Sequence, residues 1–257
     1  MSEHTTSNAG AGNESNAEPL IPTTPNKPAS VWEDFIDIFY APSTVFQRRA
    51  NSGFFLPMLV VTLLTGILFI VNSGVLTPMM DAEMGRAIAG MQRKGATLSP
   101  EQLESMRSMN DKISKVLVFI FLPVGMFFTG LALWLLGKLV ESRQSFGQAM
   151  MVSSFAFLPR VIEGVSTSIQ GLLLDPASMN GRYRISLGVG RFFDPDAASP
   201  MLLAIVGRLD LFTIWITVLL AIGLAVTGKI PRQRAAIAAA LVWIVGALPG
   251  VLQATRQ

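Results

Sequence analysis

Two charged side chains, Arg160 and Glu163, stand inside an apolar stretch of the sequence, in the run SFAFLPRVIEG. If that stretch crosses a bilayer, each charge near the midplane costs about 2.5–3.5 kcal/mol, so such residues face the protein interior and are paired. A spacing of three residues places both on one face of a helix. A later apolar stretch, GRLDLFTIW, offers matching partners in Arg208 and Asp210.

These residues predict a buried charge cluster in which Arg160 pairs with Asp210 and Glu163 pairs with Arg208. At about 1.5 Å per residue, each pair reaches a similar depth when the two helices run antiparallel. The cluster either fixes helix register or binds an ion or proton, and Arg208 alone could instead snorkel to the interface. Pro159 predicts a helix kink beside the cluster, as a structural bend or a gating point.

The elements that position these residues are long apolar runs. Each run reaches roughly 20 residues, the length that crosses a hydrocarbon core about 30 Å thick. They cover residues 54–76, 116–137, 147–174, 202–227 and 235–253. We therefore predict an all-α membrane protein, a bundle of five transmembrane helices within residues 30–253. A soluble all-α protein is the alternative.

The sequence before the first run has two parts. Residues 1–29 are rich in Ser, Thr, Asn, Gly and Pro, lack the pattern of a cleavable signal and are predicted to be a disordered polar tail. SVWE then has the form of a capping box, with Ser30 as N-cap and Glu33 three residues on. The amphipathic helix that follows is expected to lie in the membrane interface or to pack on its own protein. The aromatic residues predicted as interfacial anchors are Trp32, Phe35 and Phe39.

Between the first two runs, residues 78–93 and 100–115 are predicted to be helices, with Ser99 and Gln102 forming a second capping box. They either form an extramembrane hairpin or extend the spans outward. In the last run, Gly246 and Gly250 have the GxxxG spacing that allows close helix packing. The short connections KLVESRQ and GKIPRQR are basic, which favours placing them and the N-terminus in the cytoplasm.

Residue types exclude most reaction chemistry. The chain has no cysteine, and its one histidine, His4, lies in the polar tail. No P-loop, GxSxG or HExxH motif occurs, so no enzyme, cofactor or metal site is expected. The net charge of +3 is small, and no basic helix suited to nucleic acid is present.

Three runs resemble a known family: YAPSTVF before the first span, SSFAFLPRVI in the third, and LDLFTIWITVLLAIGLAVTGKIPRQRAAI in the fourth and its basic turn. Together they make the chain similar to the Yip family (Ypt/Rab GTPase-interacting membrane proteins), in its bacterial branch. The positions that carry the resemblance are Pro42, Phe46, Phe157, Pro159, Leu209, Asp210, Trp215, Gly223 and Arg234.

The resemblance implies a compact five-helix membrane domain with a cytoplasmic N-terminus. Eukaryotic members bind Rab GTPases, but their Asp-Leu-x-Gly-Pro element is absent here, so a Rab-type partner is not expected. We expect a non-enzymatic multi-pass scaffold of the cytoplasmic (inner) membrane, with the bilayer and another membrane protein or a second copy as partners. The alternative is a small transporter or permease component that uses the charge cluster.

Overall fold

A computed structural model describes residues 30–255, and within this range the chain is helical without β-strands. The predicted polar tail, residues 1–29, lies outside the described residues. The helices are α1 (Val31–Asp37), α2 (Pro42–Arg49), α3 (Phe55–Asn72), α4 (Thr77–Arg93), α5 (Pro100–Leu139), α6 (Phe146–Ala156), α7 (Pro159–Leu173), α8 (Pro200–Val206), α9 (Leu211–Gly228), α10 (Arg232–Val245) and α11 (Leu248–Ala254). Both predicted capping boxes are present, at Ser30 and Ser99.

Four helical segments of the described range are long and apolar enough to cross a membrane. They are α3, α5, α9 and the near-continuous pair of α10 and α11. The predicted third span, 147–174, is divided instead into α6 and α7, of 11 and 15 residues. Pro159 occupies the first turn of α7, where its missing N–H costs nothing. The predicted kink at Pro159 is therefore a break between two helices.

The predicted fourth span, 202–227, is also divided, because α8 ends at Val206 and Asp210 caps the start of a new helix, α9. Its carboxylate accepts backbone N–H groups of α9, and a side chain in that role sets a helix start. The connection between α8 and α9 forms an isolated antiparallel β-bridge with the loop around Gly188. Val189 N donates to Leu209 O at 2.9 Å, and Leu211 N donates to Leu187 O at 3.2 Å. The membrane-length helix is Leu211–Gly228 alone.

The core surrounds α9, which packs against α2, α6 and α10, while α5 packs against α3, α6 and α10. The largest buried side chains come from several helices and include Phe46, Phe155, Met126, Leu133, Leu219 and Leu224. At Gly223 a Cβ would lie 2.3 Å from Val152 Cγ1. Only glycine allows α9 and α6 this close an approach.

The region between α3 and α6 includes the longest helix, α5, of 40 residues, which continues through Pro123. Its first part is the predicted helix 100–115, so that helix extends a span outward. The predicted helix 78–93 is α4, which packs on the 3-10 turn Pro176–Ser178. A cleft separates α4 from α5.

Candidate functional site

The first half of the predicted charge cluster lies on α7. Arg160 Nη1 donates to Glu163 Oε2 at 2.5 Å, and each side chain is 28% exposed. Both groups therefore find their charge partner on their own helix, one turn away, as their spacing of three residues allows.

Asp210 is held by the helix that it caps. Its Oδ1 accepts from Phe212 N at 2.9 Å and Thr213 N at 3.0 Å, and its Oδ2 accepts from Thr213 Oγ1 at 2.5 Å. Arg160 Nη2 donates to the same Thr213 Oγ1 at 3.4 Å. The predicted direct pair of Arg160 with Asp210 is thus replaced by a contact through Thr213, because capping already occupies the carboxylate. The sequence analysis did not identify Thr213, although a hydroxyl side chain three residues after a capping Asp is well placed to donate to its carboxylate.

Arg208 turns away from Glu163 and towards α10. Its Nη2 donates to Trp243 O at 3.1 Å, and its guanidinium carbon lies 5.7 Å from the centroid of the Trp243 ring. Trp243 Nε1 donates back to Arg208 O at 3.3 Å. Instead of the predicted pair with Glu163, Arg208 ties the connection between α8 and α9 to α10.

The two glycines of the predicted GxxxG motif line this contact. A Cβ on Gly246 would lie 3.0 Å from Arg208 Nη2, whereas a Cβ on Gly250 would lie 4.0 Å from Ala204 Cβ of α8. Gly246 therefore gives the guanidinium its space, and Gly250 faces α8 in ordinary contact.

A second charge cluster, which the sequence did not suggest, joins α1 to α2. The Asp34 side chain is fully buried, and Arg48 Nη2 lies 2.6 Å from its Oδ1 while Arg49 Nε donates to its Oδ2. Arg48 Nη2 also donates to Asp37 Oδ2 at 2.5 Å. The hydrogen bond to Asp37 raises the pKa of Arg48 above its ordinary value, against the smaller opposing effect of burial.

The predicted aromatic anchors of α1 divide between two faces. Phe35 packs on Phe155, with ring centroids 5.6 Å apart, and Phe39 packs on Trp215 at 5.4 Å. These two side chains pack on the protein itself, which the sequence offered as the alternative to a position in the membrane interface. Trp32 is 65% exposed on the other face. Ile36, one turn further along that face, is 63% exposed, and Tyr40, in the turn that follows α1, is 84% exposed.

The cleft between α4 and α5 has a volume of about 440 Å³ and carries charges of both signs. Asp81 lies on its α4 wall, and Arg107, Asp111 and Lys115 lie on its α5 wall. Within residues 30–255 no group of three or more His, Cys, Asp or Glu side chains could hold a metal ion.

Residues 36–252 match the Yip1 domain, which covers most of the chain. The chain belongs to the Yip1-domain family. Comparison with curated proteins and with solved structures gave no match. The Yip1 domain therefore includes α2 to α10 and the cluster of Arg160, Glu163, Arg208 and Asp210, while most of α1, with Asp34, precedes it.

The positions that suggested the family are structural in this Yip1 domain. Pro42 stands in the first turn of α2, and Phe46, one turn later, is fully buried against α9. Gly223 provides the closest approach of α9 and α6. Arg234, in the first turn of α10, pairs with Glu141 of the connection between α5 and α6. These residues hold the bundle together, and Asp210 is the one that also belongs to the charge cluster.

Proposed function

We propose that this Yip1-domain protein is a non-enzymatic scaffold that spans the bacterial cytoplasmic membrane five times. The observation that carries the proposal is that each charge of the cluster is engaged inside the protein. Arg160 holds Glu163, Asp210 caps α9, and Arg208 binds the backbone of α10. Arg160 also contacts Thr213 of α9, so this contact and that of Arg208 with α10 hold neighbouring helices together, and no carboxylate of the cluster is left without a partner.

The fifth crossing is supplied by α6 and α7 together. Their 11 and 15 residues extend about 39 Å at 1.5 Å per residue, more than a hydrocarbon core of about 30 Å. Gly164 of α7 packs beside Leu68 of the span α3, with 3.1 Å between a Cβ at Gly164 and Leu68 Cδ1. This contact supports a crossing that runs alongside α3 although the helix is broken.

The orientation can be tested directly, because the chain lacks cysteine and any single introduced cysteine reports its own side of the membrane. With a cytoplasmic N-terminus, Ser108→Cys and Ser178→Cys react with a membrane-impermeant maleimide added to intact spheroplasts. Arg143→Cys and Gln233→Cys react only after lysis. Labelling of Arg143→Cys in intact spheroplasts contradicts the orientation, whereas protection of Ser178→Cys together with Arg143→Cys contradicts the crossing by α6 and α7.

The exposed face of α1 supports contact with the interface on the cytoplasmic side. Trp32 and Tyr40 are amphipathic aromatic residues of the kind enriched at membrane–water boundaries, and Ile36 lies between them. With Phe35 and Phe39 holding the opposite face on the bundle, α1 is a bridge between the core and the lipid surface. The partners we propose are the bilayer and another membrane protein or a second copy, not a Rab-type GTPase.

One observation favours a transporter as the second candidate. Both broken helices meet at the charge cluster: Arg160 stands in the first turn of α7, and Asp210 caps α9. Transporters build substrate and ion sites from discontinuous helices of this kind. In that case Glu163 would exchange its partner Arg160 for a proton or a cation.

Proton flux into proteoliposomes separates the two candidates. Purified protein is reconstituted with an internal pH-sensitive dye, and an imposed pH gradient is followed for the wild type, Glu163→Gln and protein-free vesicles. A scaffold gives the same slow decay in all three samples, while the melting temperature of Glu163→Gln falls. A fast decay in the wild type that disappears in Glu163→Gln refutes the scaffold and establishes transport.

A further inference from the structure

The cleft between α4 and α5 has polar walls and lies apart from both charge clusters. Its volume of about 440 Å³ falls within the range of about 300–1,000 Å³ that is typical of ligand pockets. It is lined by Ser73, Gly74, Thr77, Met80, Asp81, Met84, Arg107, Ser108, Asn110, Asp111 and Lys115.

The cleft lies where two membrane-length helices leave their apolar sequence. Ser73 directly follows α3, and Lys115 directly precedes the apolar part of α5, which begins at Val116. Just inside these positions Val71 is 70% exposed and Val116 is 61% exposed, as expected of side chains that face acyl chains. The floor of the cleft is therefore at the depth of the phospholipid headgroups.

The charges of the cleft are only half paired. Asp111 Oδ2 accepts from Lys115 Nζ at 2.9 Å, one turn away on α5. Among the ion pairs and side-chain hydrogen bonds of residues 30–255, none involves the side chain of Asp81 on α4 or of Arg107 on α5. One free anion and one free cation thus stand on opposite walls, with the thioethers of Met80 and Met84 adding apolar surface.

We propose that this cleft binds the headgroup of a zwitterionic phospholipid. The Arg107 guanidinium receives the phosphate, as planar guanidinium groups do well. The Asp81 carboxylate receives the headgroup ammonium, and the acyl chains descend along α3 and α5. An anionic headgroup would satisfy Arg107 but leave the Asp81 carboxylate without a cation, so the arrangement selects lipids that carry both charges.

Native mass spectrometry of the full chain in detergent measures this selectivity without any substitution. Palmitoyl-oleoyl phosphatidylethanolamine, phosphatidylcholine and phosphatidylglycerol are titrated separately, and the bound fraction is recorded. We expect the first two to bind at least about fivefold more tightly than phosphatidylglycerol, a ratio equal to ~1 kcal/mol. Equal binding of all three lipids overturns the proposal. Soluble phosphoethanolamine at the same concentration should not displace the lipid, and complete displacement would identify a free metabolite as the ligand instead.

Matched variants locate the site. Arg107→Gln removes the proposed phosphate contact, and Lys112→Gln removes the same charge from an exposed position of α5 outside the cleft. Only the first should weaken binding of phosphatidylethanolamine, by about fivefold. Asp81→Asn should reduce the preference over phosphatidylglycerol, whereas Glu104→Gln should not. If Arg107→Gln and Lys112→Gln weaken binding of phosphatidylethanolamine equally, the lipid binds outside the cleft. The same conclusion follows if Asp81→Asn leaves the preference over phosphatidylglycerol unchanged.

Discussion

Replacement of Asp34 by asparagine tests whether the contact between α1 and α2 depends on a buried charge. Asp34 is fully buried, and its two oxygens face Arg48 and Arg49. Asp34→Asn keeps the shape of the side chain but leaves both guanidinium groups without their shared counter-charge. The neighbouring Asp37→Asn is the matched control, because Asp37 contacts the same Arg48 and is 41% exposed.

The expected magnitudes follow from burial. Removing one partner of a fully buried ion pair costs about 3–5 kcal/mol. Here the guanidinium groups of Arg48 and Arg49 are 31% and 19% exposed, so water stabilises them in part and we expect about 2 kcal/mol. The Asp37 pair is a surface pair, and its loss should cost about 0–1 kcal/mol.

Thermal unfolding of the purified protein in one detergent measures the difference. For a domain of 150–250 residues about 1 kcal/mol shifts Tm by 2–4 °C, so Asp34→Asn should lower Tm by about 4–8 °C. Asp37→Asn, at about 0–1 kcal/mol, should lower Tm by no more than about 4 °C. If the two substitutions give the same shift, the buried carboxylate contributes no more than a surface charge, and the argument from burial is wrong.

Three further predictions, on the packing and on the charge cluster, are tested by the same melting assay. Gly223→Val should cost about 1–3 kcal/mol, because its Cβ would lie 2.3 Å from a methyl group of α6, whereas Gly125→Ala, with nothing within 4 Å, should leave or raise stability. Arg160→Gln and Glu163→Gln should each lower the free energy of unfolding, and the loss in the double variant should be smaller than the sum of the two by about 0.5 kcal/mol or more. Strictly additive losses would show that the two side chains are not coupled. Trp243→Phe keeps an aromatic ring but removes the indole N–H that donates to Arg208 O, which should cost ~1 kcal/mol. An unchanged Tm would show that this hydrogen bond does not contribute to stability.

Helix starts could be predicted from the sequence wherever a short local motif sets them. Ser30 with Glu33 and Ser99 with Gln102 were read correctly, because a capping box needs only four consecutive residues. The same logic applies to Asp210, but the apolar run around it was interpreted by length alone. A hydropathy pattern does not show a helix break when both sides are apolar, so the sequence predicts only a kink at Pro159 and no break at Asp210.

Partners in space were harder to predict than positions along the chain. Arg208 contacts a backbone carbonyl and an aromatic ring on α10. No sequence pattern predicts a partner of either kind, because every residue has a carbonyl and the ring lies far along the chain. On α1 two apolar stripes compete, one with Phe35 and Phe39 and the other beginning at Trp32. A helix of seven residues is too short for its periodicity to choose between them, and packing against α6 and α9 makes the choice.

The capping boxes also bear on how the protein is made. A third box, at Ser145, starts α6 in the same way as those at Ser30 and Ser99. Such a start needs only the first turn of its own helix and no contact with a neighbouring helix. Helices α3, α7 and α10 have no side-chain cap and depend on their surroundings. During biogenesis α5 and α6 can thus begin at fixed residues inside the insertion machinery, and α7 acquires its boundary as it settles beside α3.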